Sequence, residues 1–150
     1  MNHNKPVHKA EALVALAYRN APDELAHVHR VAGRLQGCHQ TAVALLHDLV
    51  EDEYLNESQL LAVMGPTVTR SVMTLTRRKS ETYKEYVRRV TASGDETAVA
   101  VKLADLYDHL DENRFHNLPT SMVDRYLQAL SMLVPYGRGM MVRQEDPLVA

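Results

Sequence analysis

The chain has 150 residues, which is enough for one domain that buries a single hydrophobic core without disulfides. Its 17 lysines and arginines nearly balance 19 aspartates and glutamates, and the formal net charge of -2 gives no field strong enough for wrapping nucleic acid or for binding an anionic membrane surface. Because Cys38 is the single cysteine, no secretory signal opens the sequence and no apolar run reaches the roughly 18 residues of a membrane span, we expect a cytoplasmic protein with neither nucleic acid nor a membrane as partner.

Hydrophobic periodicity predicts helices along the whole chain and no convincing strand. Glycine and proline number only six each and stand between the periodic stretches, where they end helices. Asn56 or Ser58 can cap the fourth helix, and Ser80 or Thr82 can cap the sixth. The predicted helices cover, in chain order, residues 6–19, 23–35, 38–53, 58–65, 68–78, 82–92, 96–113 and 119–134. We therefore expect an all-α domain over residues 1–137 with seven or eight short helices, followed by a flexible tail over residues 138–150.

The third predicted helix contains the run TAVALLHDLVED, in which an apolar stretch ends abruptly in ionisable side chains. Burying such groups is costly unless they are paired or bind a metal. Residues four apart share one face of an α-helix, so His47 would stack with Glu51, and Asp48 with Asp52. His47 and Asp48 could then bind a divalent metal, while the two carboxylates one turn later orient or deprotonate a water molecule. Alternatively, His47 and Asp48 form only a surface ion pair or a capped core histidine.

Two ligands are too few for a tight metal site, and two other predicted helices offer more. The second helix carries His27 and His29, and the run VKLADLYDHL carries Asp105 among apolar residues. From the residues alone, either histidine could complete a mixed nitrogen and oxygen ligand set. The other would then be an exposed residue or one that supports a ligand.

Three segments resemble, in order and spacing, the HD-domain metal-dependent phosphohydrolases: HVHRVA at 27–32, HDLVED at 47–52 and VKLADLYDHL at 101–110. They are most similar to the RelA/SpoT-type guanosine polyphosphate hydrolases and the small alarmone hydrolases, in which the HD doublet is followed by an ED pair. The resemblance covers residues 17–114 and implies an HD-domain helical bundle. It also implies site residues, namely the metal ligands His27, His47, Asp48 and Asp105, with Glu51 and Asp52 managing the attacking water.

The resemblance further implies a reaction of the stringent response. In a Mn²⁺-dependent step, water attacks a pyrophosphate linkage and releases pyrophosphate from the 3′ position of an alarmone nucleotide such as (p)ppGpp or (p)ppApp. An imidazole and carboxylate ligand set also accepts Fe²⁺, Co²⁺ or Zn²⁺. Two alternatives stay open, an HD-type nucleotidase or phosphodiesterase that acts on other nucleotides, and a nucleotide-sensing or regulatory module without catalysis. A homodimer through the last helix is also open.

A nucleotide substrate requires cations for its phosphates. Lys102 lies three residues before Asp105 on the same side of its helix, and a basic cluster precedes the helix of Tyr83, although that cluster could also be a solvated helix end. His109 lies four residues after Asp105, at a position where the alarmone hydrolases usually have asparagine. It could be a core or rim histidine, a residue that supports a metal ligand, or a contact for phosphate. Arg19, just ahead of His27, could hold the base or a phosphate. The predicted substrate-binding residues are Arg19, Arg77, Lys79, Tyr83, Lys102 and His109.

Overall fold

The computed structural model describes residues 4–111 and 114–137, and this part of the chain is all-helical, as predicted. The predicted tail over residues 138–150 lies outside the described residues. Within the described ranges, no helix combines the length and the apolar character needed to cross a membrane. The α-helices are α1 Lys5–Ala17, α2 Pro22–Gly33, α3 Cys38–Leu46, α4 Glu57–Met64, α5 Pro66–Thr74, α6 Tyr83–Ala92, α7 Glu96–His109 and α8 Thr120–Leu133, with 3₁₀ turns at Phe115–Asn117 and Val134–Gly137.

Helices α3 and α7 form the centre of the domain. Every residue from Ala42 to Leu46 in α3 is buried, and so is every residue from Ala98 to Asp108 in α7. α3 packs against α1, α2 and α7, while α7 packs against α2, α3, α5, α6 and α8. Because other helices surround both, their sequences are apolar on nearly every face. The few polar residues of α7 are therefore held in the interior.

Side-chain caps fix the starts of three helices. Asn56 caps α4, Thr82 caps α6 and Asp95 caps α7, and each side chain accepts a hydrogen bond from the backbone amide three residues later. Of the predicted alternatives, the caps are thus Asn56 rather than Ser58, and Thr82 rather than Ser80. The cap at Asp95 fixes the first residue of α7, the helix that carries Asp105.

The predicted helix over residues 38–53 is wrong at its C-terminal end, because α3 ends at Leu46 and residues 47–53 form irregular turns. The His47 imidazole donates from Nδ1 to the carbonyl of Ala44, an oxygen that the next helical amide would otherwise use. Beyond this point the backbone amides donate to carbonyls three, four or five residues earlier. This segment, called the 47–53 turn below, therefore presents its side chains in directions that an α-helix would not give.

Candidate metal centre

Three elements bring the four predicted metal ligands together. α2 carries His27, the 47–53 turn carries His47 and Asp48, and α7 carries Asp105. His27, His47 and Asp105 are buried, and Asp48 is partly exposed. The alternative to His27, His29, is exposed on α2. The geometry thus places His27, and not His29, beside the other three residues.

The separations of the donor atoms fit a divalent metal ion. The Nε2 atoms of His27 and His47 lie 2.9 and 3.4 Å from Asp105 Oδ1, and His47 Nε2 lies 3.1 Å from Asp48 Oδ2. A metal with bonds of about 2.1 Å holds neighbouring ligand atoms about 3.0 to 3.4 Å apart in octahedral or tetrahedral geometry. The observed separations lie within 0.1 Å of this range.

The hydrogen bonding of His47 also fits a metal. Its Nδ1 donates to the Ala44 carbonyl at 2.5 Å, so a neutral imidazole carries its lone pair on Nε2. That Nε2 is buried without a hydrogen-bond partner, although carboxylate oxygens of Asp48 and Asp105 lie close to it. A cation between the ring nitrogen and these carboxylates would satisfy all three groups.

The raised pKa values of His27 and His47 also fit a site that binds a cation. Burial lowers the pKa of His27, but hydrogen bonds to Asp105 and Asp108 outweigh it and raise the pKa to about 9. Burial also disfavours a charged His47, yet the neighbouring Asp48 and Asp105 hold its pKa well above the ordinary value. The centre therefore stabilises two added positive charges, and a divalent cation supplies that charge in place of two protons.

Asp108 is a site residue that the sequence reasoning missed. Its Oδ2 accepts a hydrogen bond from His27 Nδ1 at 2.6 Å, and its two oxygens also accept from Arg30 and Arg114. A carboxylate on the far nitrogen fixes the tautomer of a metal-binding histidine and directs its other nitrogen toward the metal. The available signal was spacing, since Asp108 lies three residues after Asp105 and shares its side of α7.

Lys102 is buried and paired with Asp105, whereas a phosphate-binding side chain needs an amine that the substrate can reach. Its Nζ donates to Asp105 Oδ2 at 2.7 Å, and only 10% of the side chain is exposed. Burial lowers the pKa of Lys102, but the charge of Asp105 holds it well above the ordinary value. For Asp105, burial raises the pKa, and the charges of Lys102 and His109 bring it well below the ordinary value. Lys102 thus keeps Asp105 ionised and occupies Oδ2, while Oδ1 faces the histidines.

Asp52, the second carboxylate of the ED pair, lies beside the metal ligands. One oxygen each from Asp52, Asp48 and Glu24 lie within 4.8 Å of one another. The Tyr18 hydroxyl donates to Asp52 Oδ2 at 3.0 Å and holds the carboxylate in place. Burial and the charge of Asp48 raise the pKa of Asp52. Asp52 thus lies close to Asp48, and its role in directing a water molecule stays a prediction.

Glu51, the first carboxylate of the pair, bonds to the segment between α5 and α6. It is exposed, and its Oε1 accepts a hydrogen bond from the backbone amide of Arg77 at 2.8 Å. The predicted stacking of Glu51 with His47 assumed that α3 continues to residue 53, but α3 ends at Leu46. The role of Glu51 in managing the attacking water stays a prediction. In this geometry Glu51 holds the segment between α5 and α6 against the turn.

Tyr83 belongs to an aromatic and cationic surface that reaches the centre through His109. Its ring centroid lies 6.1 Å from that of Tyr126, and Tyr126 stacks on His109 with centroids 4.9 Å apart. The guanidinium carbons of Arg77 and Arg125 lie 6.0 and 5.1 Å from the Tyr83 ring centroid. Sequence reasoning had named three of these five residues and missed Arg125 and Tyr126.

Arg19 and Lys79 make no polar contact with a predicted metal ligand in the part of the chain that the structure describes. The guanidinium of Arg19 donates to the carbonyl of Leu16 at 3.1 Å. Lys79 is almost fully exposed, and its Nζ lies 3.8 Å from Glu53 Oε1. Their roles in substrate binding stay predictions.

No protein-family model and no curated protein matches this chain. The HD-domain resemblance therefore depends on three sequence segments and on the convergence of their residues in space. Membership of that family stays a prediction.

Proposed function

We propose that the protein is a metal-dependent phosphohydrolase of the HD type, which removes pyrophosphate from the 3′ position of an alarmone such as (p)ppGpp or (p)ppApp in the cytoplasm. The observation that carries the proposal is the convergence of His27, His47, Asp48 and Asp105 from three elements at the separations of metal ligands. The order of the motifs, H…HDxxED…KLAD, supports the alarmone branch.

The chain's own residues divide the work of such a reaction. A divalent ion such as Mn²⁺ would lower the pKa of a bound water and neutralise phosphoryl charge. His27, oriented by Asp108, and His47, oriented by the Ala44 carbonyl, present Nε2 lone pairs for binding it. Asp52, held by Tyr18, directs the attacking water and accepts its proton.

The cavity beside the centre has both acidic and basic side chains in its wall. A cavity of about 240 Å³ opens beside His27, Asp48 and His109, and its wall includes Asp23 and Glu24. These carboxylates repel phosphate unless a metal neutralises them, whereas Arg30 and Arg114 in the same wall attract it. The surface around Tyr83 offers an aromatic face for a base and guanidinium groups for further phosphates.

The first test is turnover. Purified protein incubated with Mn²⁺ and ppGpp or ppApp should release pyrophosphate, and Asp48→Ala should lower the rate by at least about a hundredfold, because it removes a ligand. His29→Asn is the matched control, since it changes an exposed histidine of α2. No turnover by the wild type, or undiminished turnover by Asp48→Ala, rejects the proposal.

The same assay separates the alternatives by their products. Release of orthophosphate from nucleoside monophosphates, or opening of cyclic nucleotides, identifies a nucleotidase or phosphodiesterase. Stabilisation by nucleotide without any product identifies a sensing module. The homodimer stays a prediction. Leu127 on α8 and Tyr136 after it are exposed and could contribute apolar surface to such an interface.

A further inference from the structure

His109 is directed at the same carboxylate oxygen as the two predicted histidine ligands. It is the last residue of α7, one turn after Asp105, and its Nε2 lies 3.3 Å from Asp105 Oδ1. The Nε2 atoms of His27 and His47 lie 2.9 and 3.4 Å from that oxygen. Three imidazole nitrogens thus surround one oxygen at the separations expected of neighbouring metal ligands.

The position of the His109 ring is fixed by its neighbours. Tyr126 of α8 stacks on it at an interplanar angle of 17°, and the centroid of the His27 ring lies 4.7 Å from that of His109. One ligand atom each from His27, Asp105 and His109 lie within 4.8 Å of one another. Since 34% of the side chain is exposed, the imidazole also reaches the cavity beside the centre.

An ion pair with Asp105 would be the simpler role for His109, but Asp105 already has several partners. Lys102 occupies its Oδ2 at 2.7 Å, and His27 bonds to its Oδ1 at 2.9 Å. Three imidazole nitrogens lie within 3.4 Å of Oδ1, and one carboxylate oxygen has too few lone pairs to accept a hydrogen bond from each of them. A shared metal ion removes this conflict, because neutral imidazoles can then present lone pairs to it.

We infer that His109 is an additional protein ligand of the metal, through the group that it forms with His27 and Asp105. The inference rests on the proposed metal-dependent function and concerns the position where the alarmone hydrolases usually have asparagine. A third imidazole beside the predicted two histidines and two aspartates shifts the ligand set toward nitrogen, which favours Co²⁺, Ni²⁺ or Zn²⁺ over Mn²⁺.

The direct test counts imidazoles on the metal without changing the chain. Wild-type protein labelled with ¹⁵N-histidine is loaded with Mn²⁺, and pulsed electron paramagnetic resonance measures the nitrogens coupled to the ion. Three coupled imidazoles are expected in the wild type and two in His109→Asn. Two in the wild type overturn the inference, because His109 would then be only a partner of Asp105.

The second test measures affinity by competition with a chelator. We expect His109→Asn to weaken Co²⁺ binding by at least about tenfold and Mn²⁺ binding by less. His29→Asn, the same change at an exposed position, should leave both affinities unchanged. Equal Co²⁺ affinities for His109→Asn and the wild type contradict the inference, provided that the variant keeps the helical circular dichroism of the wild type. The coupled-nitrogen count on the wild type needs no variant.

The failure of this inference differs from the failure of the proposed function. Wild-type protein that binds Mn²⁺ through two imidazoles and releases pyrophosphate rejects the role of His109 alone. Wild-type protein that binds no Mn²⁺, Co²⁺ or Zn²⁺ rejects both. Three coupled imidazoles without any nucleotide turnover support the ligand role and reject the proposed reaction.

Discussion

At the scale of single residues, Asp108 of α7 fixes the orientation of the His27 ring. The hydrogen bond from His27 Nδ1 to Asp108 is 2.6 Å long, and two arginines hold the same carboxylate. Burial raises the pKa of Asp108, but His27 and Arg30 bring it well below the ordinary value. Asp108 therefore stays ionised and keeps a proton on His27 Nδ1, which leaves the Nε2 lone pair for the proposed metal.

Replacing Asp108 by asparagine should therefore weaken metal binding although no ligand is removed. We expect about a 10- to 100-fold loss of Mn²⁺ and Co²⁺ affinity in Asp108→Asn, because the amide no longer fixes the His27 tautomer. Titration calorimetry on the two proteins measures this change. Asp111→Asn is the matched control, since the Asp111 carboxylate pairs with Arg34 and Arg114, each at 3.6 Å. Wild-type affinity in Asp108→Asn would show that His27 needs no such support.

At the scale of elements, Arg89 and Glu81 organise the segment between α5 and α6. Arg89 donates to both oxygens of Glu81 at 2.7 and 3.0 Å, and also to the carbonyls of Thr74 and Thr76. Glu81 in turn accepts from the amide of Arg78 at 2.8 Å. This ion pair thus fixes the path of the chain that carries Arg77 and leads into Tyr83.

The stability supplied by this ion pair should depend on pH. The hydrogen bonds from Arg89 lower the pKa of Glu81 from 4.5 to about 2. A lowered carboxyl pKa stabilises the fold at pH values above 4.5, and the contribution disappears as the pH falls toward 2. We expect Glu81→Gln to lower the free energy of unfolding by about 1 to 3 kcal/mol near neutral pH, and by progressively less in acid.

Urea unfolding at several pH values measures this difference. Glu11→Gln, a change at an exposed carboxylate of α1, should have an effect within about 0.5 kcal/mol at every pH. A difference for Glu81→Gln that stays constant down to acid pH would mean that the charge of Glu81 is not what stabilises the segment.

At the scale of the whole molecule, the centre ties α2, the 47–53 turn and α7 together, so metal binding should stabilise the entire fold. At a metal concentration of about 100 times the dissociation constant, binding adds about 2.7 kcal/mol to the free energy of unfolding. For a chain of this size that raises the melting temperature by about 5 to 10 °C. Thermal unfolding with Mn²⁺ or with a chelator measures the shift. Asp48→Ala should lose most of it, and a wild type without any shift contradicts the metal centre.

The helices could be predicted because their signals are local. Apolar periodicity and the caps at Asn56 and Thr82 involve residues within one or two turns of each other. The end of α3 could not be predicted in the same way. It depends on the His47 side chain taking a backbone carbonyl, and this role follows from where the imidazole is held in the packed domain.

Part of the candidate site could be predicted, because some of its residues are recognisable from their type and their spacing in the sequence. His47, Asp48 and Asp105 each carry a buried or partly buried charge beside apolar neighbours, which the sequence displays directly. Asp108 and the paired state of Lys102 were not predictable, because their roles are set by contacts between helices that are distant in sequence. The different contacts of Glu51 and Asp52 were also not predictable, because they follow from the backbone of the 47–53 turn.

The stacking of Tyr126 on His109 also has an optical consequence. The chain contains seven tyrosines and no tryptophan, so its ultraviolet emission comes from tyrosine alone. Tyr126 stacks on the ring of His109, and the Tyr18 hydroxyl is bonded to Asp52, so two of these fluorophores contact the centre. A quenching ion such as Co²⁺ or Ni²⁺ bound at the centre would reduce the fluorescence of Tyr126 and Tyr18 more than that of tyrosines farther away. The protein therefore contains a label-free reporter of occupancy within its own fold.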